Sequence, residues 1–173
     1  MESTLSTCRM QSPLGEILLV ADARGDALCG LYLERQKYFP VDAGQWRAAP
    51  TLPVLRDAIV QLREYFAGVR TRFDIPLAPV GTPFQREVWS AIGDVPFGET
   101  MTYAELARRC GRPSAVRAAG AATGRNPITV IIPCHRIVGS GGALTGYAGG
   151  LERKRALLTL EARNAATIAR KVA

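Results

Sequence analysis

A short stretch that contains proline and glycine, Leu77-Ala78-Pro79-Val80-Gly81, divides the chain near its middle and is typical of a linker. The 173 residues, 47% of them apolar, are enough for one domain or for two small ones, and this composition excludes disordered and fibrous classes. We therefore predict two domains, residues 1–79 and residues 80–173.

Positive charge is shared unevenly between the two halves. Residues 81–173 carry 13 Lys and Arg against 6 Asp and Glu, whereas residues 1–80 carry 9 of each. We therefore expect a polyanion to contact the second half. The alternative is that a basic balance only keeps a small protein soluble.

The sequence also indicates a compartment. No apolar run approaches the roughly 18 residues that a membrane span needs, and residues 1–10 lack the order of a secretion signal. His135 is the single histidine, and the cysteines are widely spaced: Cys8, Cys29, Cys110 and Cys134. A disulfide framework or a zinc site is not expected. We predict a cytoplasmic protein with no membrane association, no metal and no cofactor.

The first half has the pattern of a small mixed α/β domain. Apolar runs at 15–21 and 27–33 predict a β-hairpin. Residues 52–66 place apolar side chains at helical spacing, and residues 73–77 are expected to return as a strand. The segment 37–50 is expected to be a loop.

The second half contains two helix starts of the same kind. Thr82 with Gln85 has the pattern of a capping box, and Thr102 with Glu105 repeats it. The helix that starts after Thr102 is expected to end at Gly111.

A further helix is expected to begin at Pro113 or Ser114, so that two short helices meet at Gly111-Arg112-Pro113. This arrangement matches a helix-turn-helix, in which the second helix is the recognition helix. Many helix pairs of this kind bind nothing, so the pattern alone does not decide the function.

The predicted recognition helix, residues 114–124, has almost no side-chain donors and therefore cannot contact many base edges. Its small residues permit close approach to a groove wall, and Arg117 is its one long cation. This favours binding by shape with one inserted side chain, as in proteins that wedge the minor groove. The alternative is that the small residues only pack against other helices and Arg117 is solvated.

The single histidine directly follows a cysteine, in Cys134-His135, after an apolar run at 128–132 that is expected to be a buried, strand-like segment. A thiol reacts mainly as the thiolate, and a neighbouring imidazole is the usual means of forming one. Adjacent side chains rarely face each other, so proton transfer would need a turn or a bridging water, and a third group to orient the ring. The alternative is an inert core cysteine.

Glu161 is a candidate for that third group. In the last helix, Leu151, Leu158 and Glu161 fall on one side, which would turn the carboxylate inward, although most glutamates on helices are solvated. The glycine-rich segment 139–150 could bring backbone amides close to a planar ligand, with Tyr147 as a stacking wall.

Three motifs together resemble a known family: Asn126-Pro127, Pro133-Cys134-His135-Arg136 and Gly146-Tyr147-Ala148-Gly149-Gly150. They are similar to the O6-alkylguanine-DNA alkyltransferase family, almost continuously from Thr82 to Glu161. The first half is similar more loosely, mainly through Ser12-Pro13-Leu14-Gly15. The resemblance implies an α/β (α+β) fold, with a small mixed α/β N-terminal domain and a mostly helical C-terminal domain that has a winged helix-turn-helix-like DNA-binding motif.

The same resemblance implies a role for each catalytic residue. Cys134 takes the alkyl group from O6 of a damaged guanine, His135 acts as a general base through water, and Glu161 orients His135. Asn126 ties the recognition helix to the active-site segment, and Tyr103 rotates the phosphate and approaches the base. Since the departing guanine needs a proton, Tyr103 is also a candidate donor. Transfer would be irreversible, so each molecule would act once, as a suicide methyltransferase that repairs DNA by direct reversal. Activity on O4-alkylthymine is left open.

The resemblance also implies how DNA is bound. Arg117 would fill the gap that the flipped nucleotide leaves. The other residues expected at the DNA are Tyr103, Ser114, Ala118, Ala121 and Ala122, and those expected around the base are Val138, Gly146, Tyr147 and Ala148. The expected partner is double-stranded DNA that carries O6-alkylguanine, bound by a protein that is monomeric in solution, with cooperative assembly on DNA left open.

Two other functions stay open from the sequence. A lesion sensor would bind alkylated DNA without chemistry, but it would have no use for Cys134 and His135. A cysteine hydrolase that acts on a small acyl substrate would leave Cys134 unmodified after turnover, and it gives no reason for the basic second half. The number of lesions removed per protein molecule separates repair from hydrolysis.

Overall fold

The structure, a computed structural model, describes residues 5–172. The chain forms two compact units. The first contains the residues up to Val80 together with Pro127–Thr129, and the second contains Gly81–Asn126 and the chain from Val130 onward.

A four-stranded sheet with strand order β3-β2-β1-β4 forms the first unit. Its strands are β1 (Ser6–Ser12), β2 (Gly15–Ala21), β3 (Leu28–Leu33) and β4 (Arg47–Ala48). The predicted hairpin is confirmed as antiparallel β2 and β3. Asp22 stabilises the turn between them, because its carboxylate accepts hydrogen bonds from the backbone N–H groups of Gly25 and Asp26 at 2.8 and 2.9 Å.

Two strands of this sheet were not predicted. Strand β1 pairs antiparallel with β2. Its sequence does not alternate regularly between apolar and polar residues, because the polar residues Ser6 and Thr7 are buried. The segment 37–50, expected to be a loop, contains the short strand β4, which pairs parallel with β1. Pairing supplied by β1 makes so short a strand possible.

The strand predicted at residues 73–77 is wrong. Only Leu77 forms a bridge, with Leu28, through hydrogen bonds from Leu28 N to Pro76 O and from Ala78 N to Leu28 O. Pro76 has no N–H to donate, which prevents a longer ladder. The predicted helix is confirmed as α1 (Pro53–Phe66), which begins with proline in its first turn.

The apolar run at 128–132 is buried but does not form a strand. Leu31 N donates to Pro127 O at 2.8 Å and Thr129 N donates to Leu31 O at 3.1 Å, so a single bridge joins Ile128 to β3. At Val130 the backbone turns to φ 74°, a conformation that a β-branched residue rarely adopts, and this ends the extended run.

Helices dominate the second unit. They are α2 (Pro83–Gly93), α3 (Tyr103–Arg109), α4 (Val116–Gly124) and α5 (Leu151–Val172), accompanied by a parallel pair of short strands, β5 (Met101–Thr102) and β6 (Ile137–Val138). The predicted capping boxes of Thr82 and Thr102 are both confirmed. In the described part of the chain, no helix combines the length and apolar character that a membrane span requires.

Helix α4 begins at Val116, later than the predicted start at Pro113 or Ser114. A turn intervenes, in which Ala115 N donates to Arg112 O at 2.9 Å. Helix α3 ends at Arg109, two residues before the predicted end at Gly111, which follows the C-cap Cys110 with φ 68°. Pro113 favours an extended Arg112. Ser114 therefore lies in the turn before the helix.

Candidate functional site

Cys134 lies in a 3-10 turn, Cys134–Arg136, directly before β6. Its side chain is 5% exposed. Asn126 Nδ2 donates to the carbonyl of Ile132 at 2.8 Å and to Cys134 Sγ at 3.1 Å. Asn126 directly follows the C-cap of α4, so its amide connects the end of that helix to the cysteine.

Burial raises the pKa of the Cys134 thiol to about 11, although the hydrogen bond from Asn126 and the positive charge of Lys154 act in the opposite direction. At neutral pH the sulfur is therefore protonated until a base removes the proton.

His135 is fully buried beside this cysteine. Its Nε2 lies 2.7 Å from Glu161 Oε1, and within residues 5–172 its Nδ1 has no hydrogen-bond partner. Burial lowers the pKa of His135, even though Glu161 favours the charged form. The ring is therefore neutral, and a proton on Nε2 directed at the carboxylate leaves Nδ1 as its basic atom.

Glu161 is 1% exposed and is held from several sides. Besides His135, it accepts hydrogen bonds from the Arg136 guanidinium and from Gly98 N at 3.2 Å. Burial alone would raise the pKa of Glu161, but the hydrogen bonds from His135 and Arg136 lower it to about 2. The inward Glu161 that the sequence suggests is thus an ionised, fully buried carboxylate.

Sequence reasoning assigned no site role to Arg136. Its Nη1 donates to Val95 O at 2.6 Å, and its guanidinium lies 5.8 Å from the centre of the Phe97 ring. The signal was a cation immediately after His135, in reach of any carboxylate that orients the ring.

Lys154 was also missed. It is 0% exposed, and its Nζ donates to the carbonyls of Ile137, Thr145 and Gly146. Its spacing of seven residues from Glu161 places both on one side of α5. The side facing inward therefore holds Lys154, Leu157 and Glu161, whereas Leu151, predicted to share it, is 42% exposed.

The residues expected around a base lie near these groups. Tyr103 is half-buried at the start of α3, and its hydroxyl donates to Thr145 O at 3.2 Å. Burial raises the pKa of Tyr103, so its hydroxyl keeps its proton. In the glycine-rich segment Gly146 is exposed with φ 47°, and Tyr147 and Ala148 are half-buried, while Val138 of β6 is buried.

The residues expected at DNA separate into two groups on α4 and its preceding turn. The exposed ones are Ser114, Arg117, Ala118 and Ala121. The side chain of Ala122 is buried, and its carbonyl accepts a hydrogen bond from the Trp89 indole at 2.8 Å. The exposed surface of α4 thus has small side chains and one long cation, Arg117. The opposite side of the helix is buried and is held by the hydrogen bond from Trp89.

Within residues 5–172 no group of three or more His, Cys, Asp or Glu side chains is placed to hold a metal ion. The four cysteines are free thiols.

Two family models match the chain. The model described as "6-O-methylguanine DNA methyltransferase, DNA binding domain" matches residues 83–163, and "6-O-methylguanine DNA methyltransferase, ribonuclease-like domain" matches residues 8–79.

Curated relatives span nearly the same length. The methylated-DNA--protein-cysteine methyltransferase of Methanosarcina acetivorans is 46% identical over 151 residues, which cover 87% of this chain and 94% of the relative. That of Mycolicibacterium paratuberculosis is 46% identical over 155 residues, covering 90% and 91%.

Solved structures are similar as well. The crystal structure of Mycobacterium tuberculosis O6-methylguanine methyltransferase superposes with a TM-score of 0.82 at 43% identity, covering 93% of both chains. Mycobacterium tuberculosis OGT in complex with DNA superposes with a TM-score of 0.84 at 42% identity, covering 92% of this chain and 94% of that one.

Proposed function

This chain belongs to the 6-O-methylguanine DNA methyltransferase family, and on that premise we propose that Cys134 accepts the alkyl group from O6-alkylguanine in DNA. The activity is that of a methylated-DNA--protein-cysteine methyltransferase, which repairs O6-methylguanine. The observation that carries the residue assignment is the buried thiol next to a neutral imidazole whose Nε2 is held by Glu161.

The first step is removal of the thiol proton. Because Nε2 of His135 faces Glu161, the proton must go to Nδ1, and the lack of a hydrogen bond between Nδ1 and Cys134 Sγ favours a bridging water. Glu161 then stabilises the imidazolium that forms.

Alkyl transfer follows in line. A sulfur–carbon bond forms as the carbon–O6 bond breaks, and the electron pair of the broken bond stays on the guanine, which takes up one proton. Tyr103 is the proposed donor, because its protonated hydroxyl lies against the glycine-rich segment, where it donates to Thr145 O at 3.2 Å. The thioether on Cys134 is stable, so each molecule acts once.

A base inside a duplex hides its O6 from the sulfur, so the nucleotide must leave the stack. Arg117, exposed on α4 among small side chains, is the proposed residue that fills the gap. The proposed partner is double-stranded DNA carrying O6-alkylguanine, bound by a monomer. The cytoplasmic location stays a prediction.

A titration tests this function. A duplex with one O6-methylguanine is held in excess while the amount of protein is increased, and repaired guanine is counted. We expect at most one lesion repaired per protein molecule and none with Cys134→Ala. Tight binding without repair would favour the lesion sensor, and neither binding nor repair would favour the hydrolase.

A further inference from the structure

Lys154 is a buried cation that the proposed mechanism does not use. Its three ammonium N–H groups meet three backbone carbonyls, those of Ile137 at 2.6 Å, Thr145 at 2.9 Å and Gly146 at 3.2 Å. Among residues 5–172, no carboxylate lies within salt-bridge distance of it. Burying a cation with only neutral partners is unfavourable, so the hydrogen bonds to the three carbonyls must offset that cost.

We propose that Lys154 is a positioning residue for alkyl transfer, whose ammonium joins the glycine-rich base-pocket segment to the strand that follows Cys134 and places a positive charge beside the acceptor sulfur. This inference rests on the proposed function, because it deepens the role of the same site.

Lys154 connects two segments of the site through its hydrogen bonds. Ile137 lies three residues after Cys134, whereas Thr145 and Gly146 belong to a segment whose glycines leave it little intrinsic stiffness. Lys154 bonds both, and Tyr103 shares the Thr145 carbonyl. A base pocket that is ordered before binding holds the alkyl carbon in line with sulfur, and small displacements there slow transfer strongly.

The charge of Lys154 also acts on the Cys134 thiol. The titratable groups around Cys134 are His135 on its own turn, Tyr103 on α3 and Lys154 on α5, and Glu161 contacts His135. His135 and Tyr103 are neutral, and the charge of Glu161 is balanced by Arg136. Lys154 is thus the cation that favours the thiolate, since its charge lowers the pKa of Cys134.

The charged form of Lys154 is maintained by the same contacts. Burial lowers the pKa of Lys154, but a neutral amine has only two N–H groups and would leave one carbonyl unsatisfied. The ammonium also lies 5.9 Å from the centre of the Tyr103 ring, an attractive arrangement for a cation.

Three variants test the proposal. Lys154→Met removes the charge and all three donors at similar length, and Lys154→Arg keeps the charge in a planar shape that cannot reproduce the three bonds. Arg155→Met is the matched control, because it removes a positive charge from an exposed position on the same helix. Each is compared in the full chain for methyl transfer from an O6-methylguanine duplex, and for the pH dependence of Cys134 alkylation by iodoacetamide, followed by peptide mass mapping.

We expect Lys154→Met to slow transfer by about tenfold or more and to raise the alkylation midpoint of Cys134 by about one pH unit. Lys154→Arg should keep the midpoint of the unmodified chain but transfer more slowly, and Arg155→Met should match the unmodified chain in both. An unchanged midpoint in Lys154→Met, or an equal rise in Lys154→Arg, would overturn the proposal. If Lys154→Met does not fold, a transfer rate for Lys154→Arg equal to that of the unmodified chain would overturn it.

The unmodified chain distinguishes this inference from the proposed function. If it transfers no methyl group to Cys134, the proposed function fails. If the unmodified chain does transfer the methyl group, and the Lys154 variants have the same transfer rate and alkylation midpoint, only the proposed role of Lys154 fails.

Discussion

Arg136 donates from Nε and Nη2 to the two oxygens of the Glu161 carboxylate, each at 2.9 Å. Both side chains are buried, so the pair is a desolvated ion pair with matched planar geometry. It keeps Glu161 ionised, and the same carboxylate accepts hydrogen bonds from His135 Nε2 and from Gly98 N.

Loss of either partner should destabilise the protein strongly. Glu161→Gln leaves the Arg136 guanidinium buried with no counter-charge, and we expect the free energy of unfolding to fall by about 3 kcal/mol. Urea unfolding followed by circular dichroism measures it. Glu152→Gln, at an exposed position on the same helix, is the control and should change stability by less than about 0.5 kcal/mol. Equal effects of the two substitutions would exclude a stabilising buried pair.

Acid should act on the same pair. In the folded protein the pKa of Glu161 is lowered from 4.5 to about 2. A carboxyl whose folded pKa is depressed stabilises the fold above its unfolded pKa, and this contribution is lost as the pH falls from about 4.5 towards about 2. Between about pH 4.5 and about pH 2, we expect the free energy of unfolding of the unmodified chain to fall more steeply than that of Glu161→Gln. Parallel curves for the two proteins would contradict the lowered pKa.

Asn126 should affect both the thiol and the turn that carries it. Asn126→Leu removes the bonds to Ile132 O and Cys134 Sγ, so a buried carbonyl loses its donor and the thiolate loses a partner. We expect the free energy of unfolding to fall by about 1 to 3 kcal/mol and the alkylation midpoint of Cys134 to rise. Alkylation at several pH values checks the second effect. A midpoint equal to that of the unmodified chain would show that the amide does not stabilise the thiolate.

Arg117 should be needed for DNA but not for chemistry at the sulfur. Arg117→Ala is expected to slow repair in duplex DNA more than reaction with a free alkylated guanine base, because only the duplex has a gap to fill. Arg56→Ala, exposed on α1, removes the same charge elsewhere and serves as control. Equal losses on the two substrates would argue against insertion of Arg117.

Local signals in the sequence predicted much of the second unit. The capping boxes of Thr82 and Thr102 are formed by residues three apart, so neighbouring residues alone determine them. Strand β4 has only two residues and forms through pairing with β1, and its position could not be inferred from its own composition.

The charged residues show a different limit. Arg136 is buried against the Glu161 carboxylate, 25 residues further along the chain. Lys154 is buried against the backbone carbonyls of Ile137, Thr145 and Gly146, which lie 17, 9 and 8 residues before it. A sequence pattern treats such side chains as exposed, since most of them are. The role of Arg136 in holding Glu161, and that of Lys154 in holding the glycine-rich segment, are therefore evident only in the folded chain.

The most direct test of the account is intact-protein mass after incubation with a short duplex that contains one O6-methylguanine, followed by peptide mapping. We predict a gain of one methylene, about 14 Da, on Cys134 and at most one such event per molecule. A protein that repairs the lesion while the mass of its Cys134 peptide stays unchanged would contradict it.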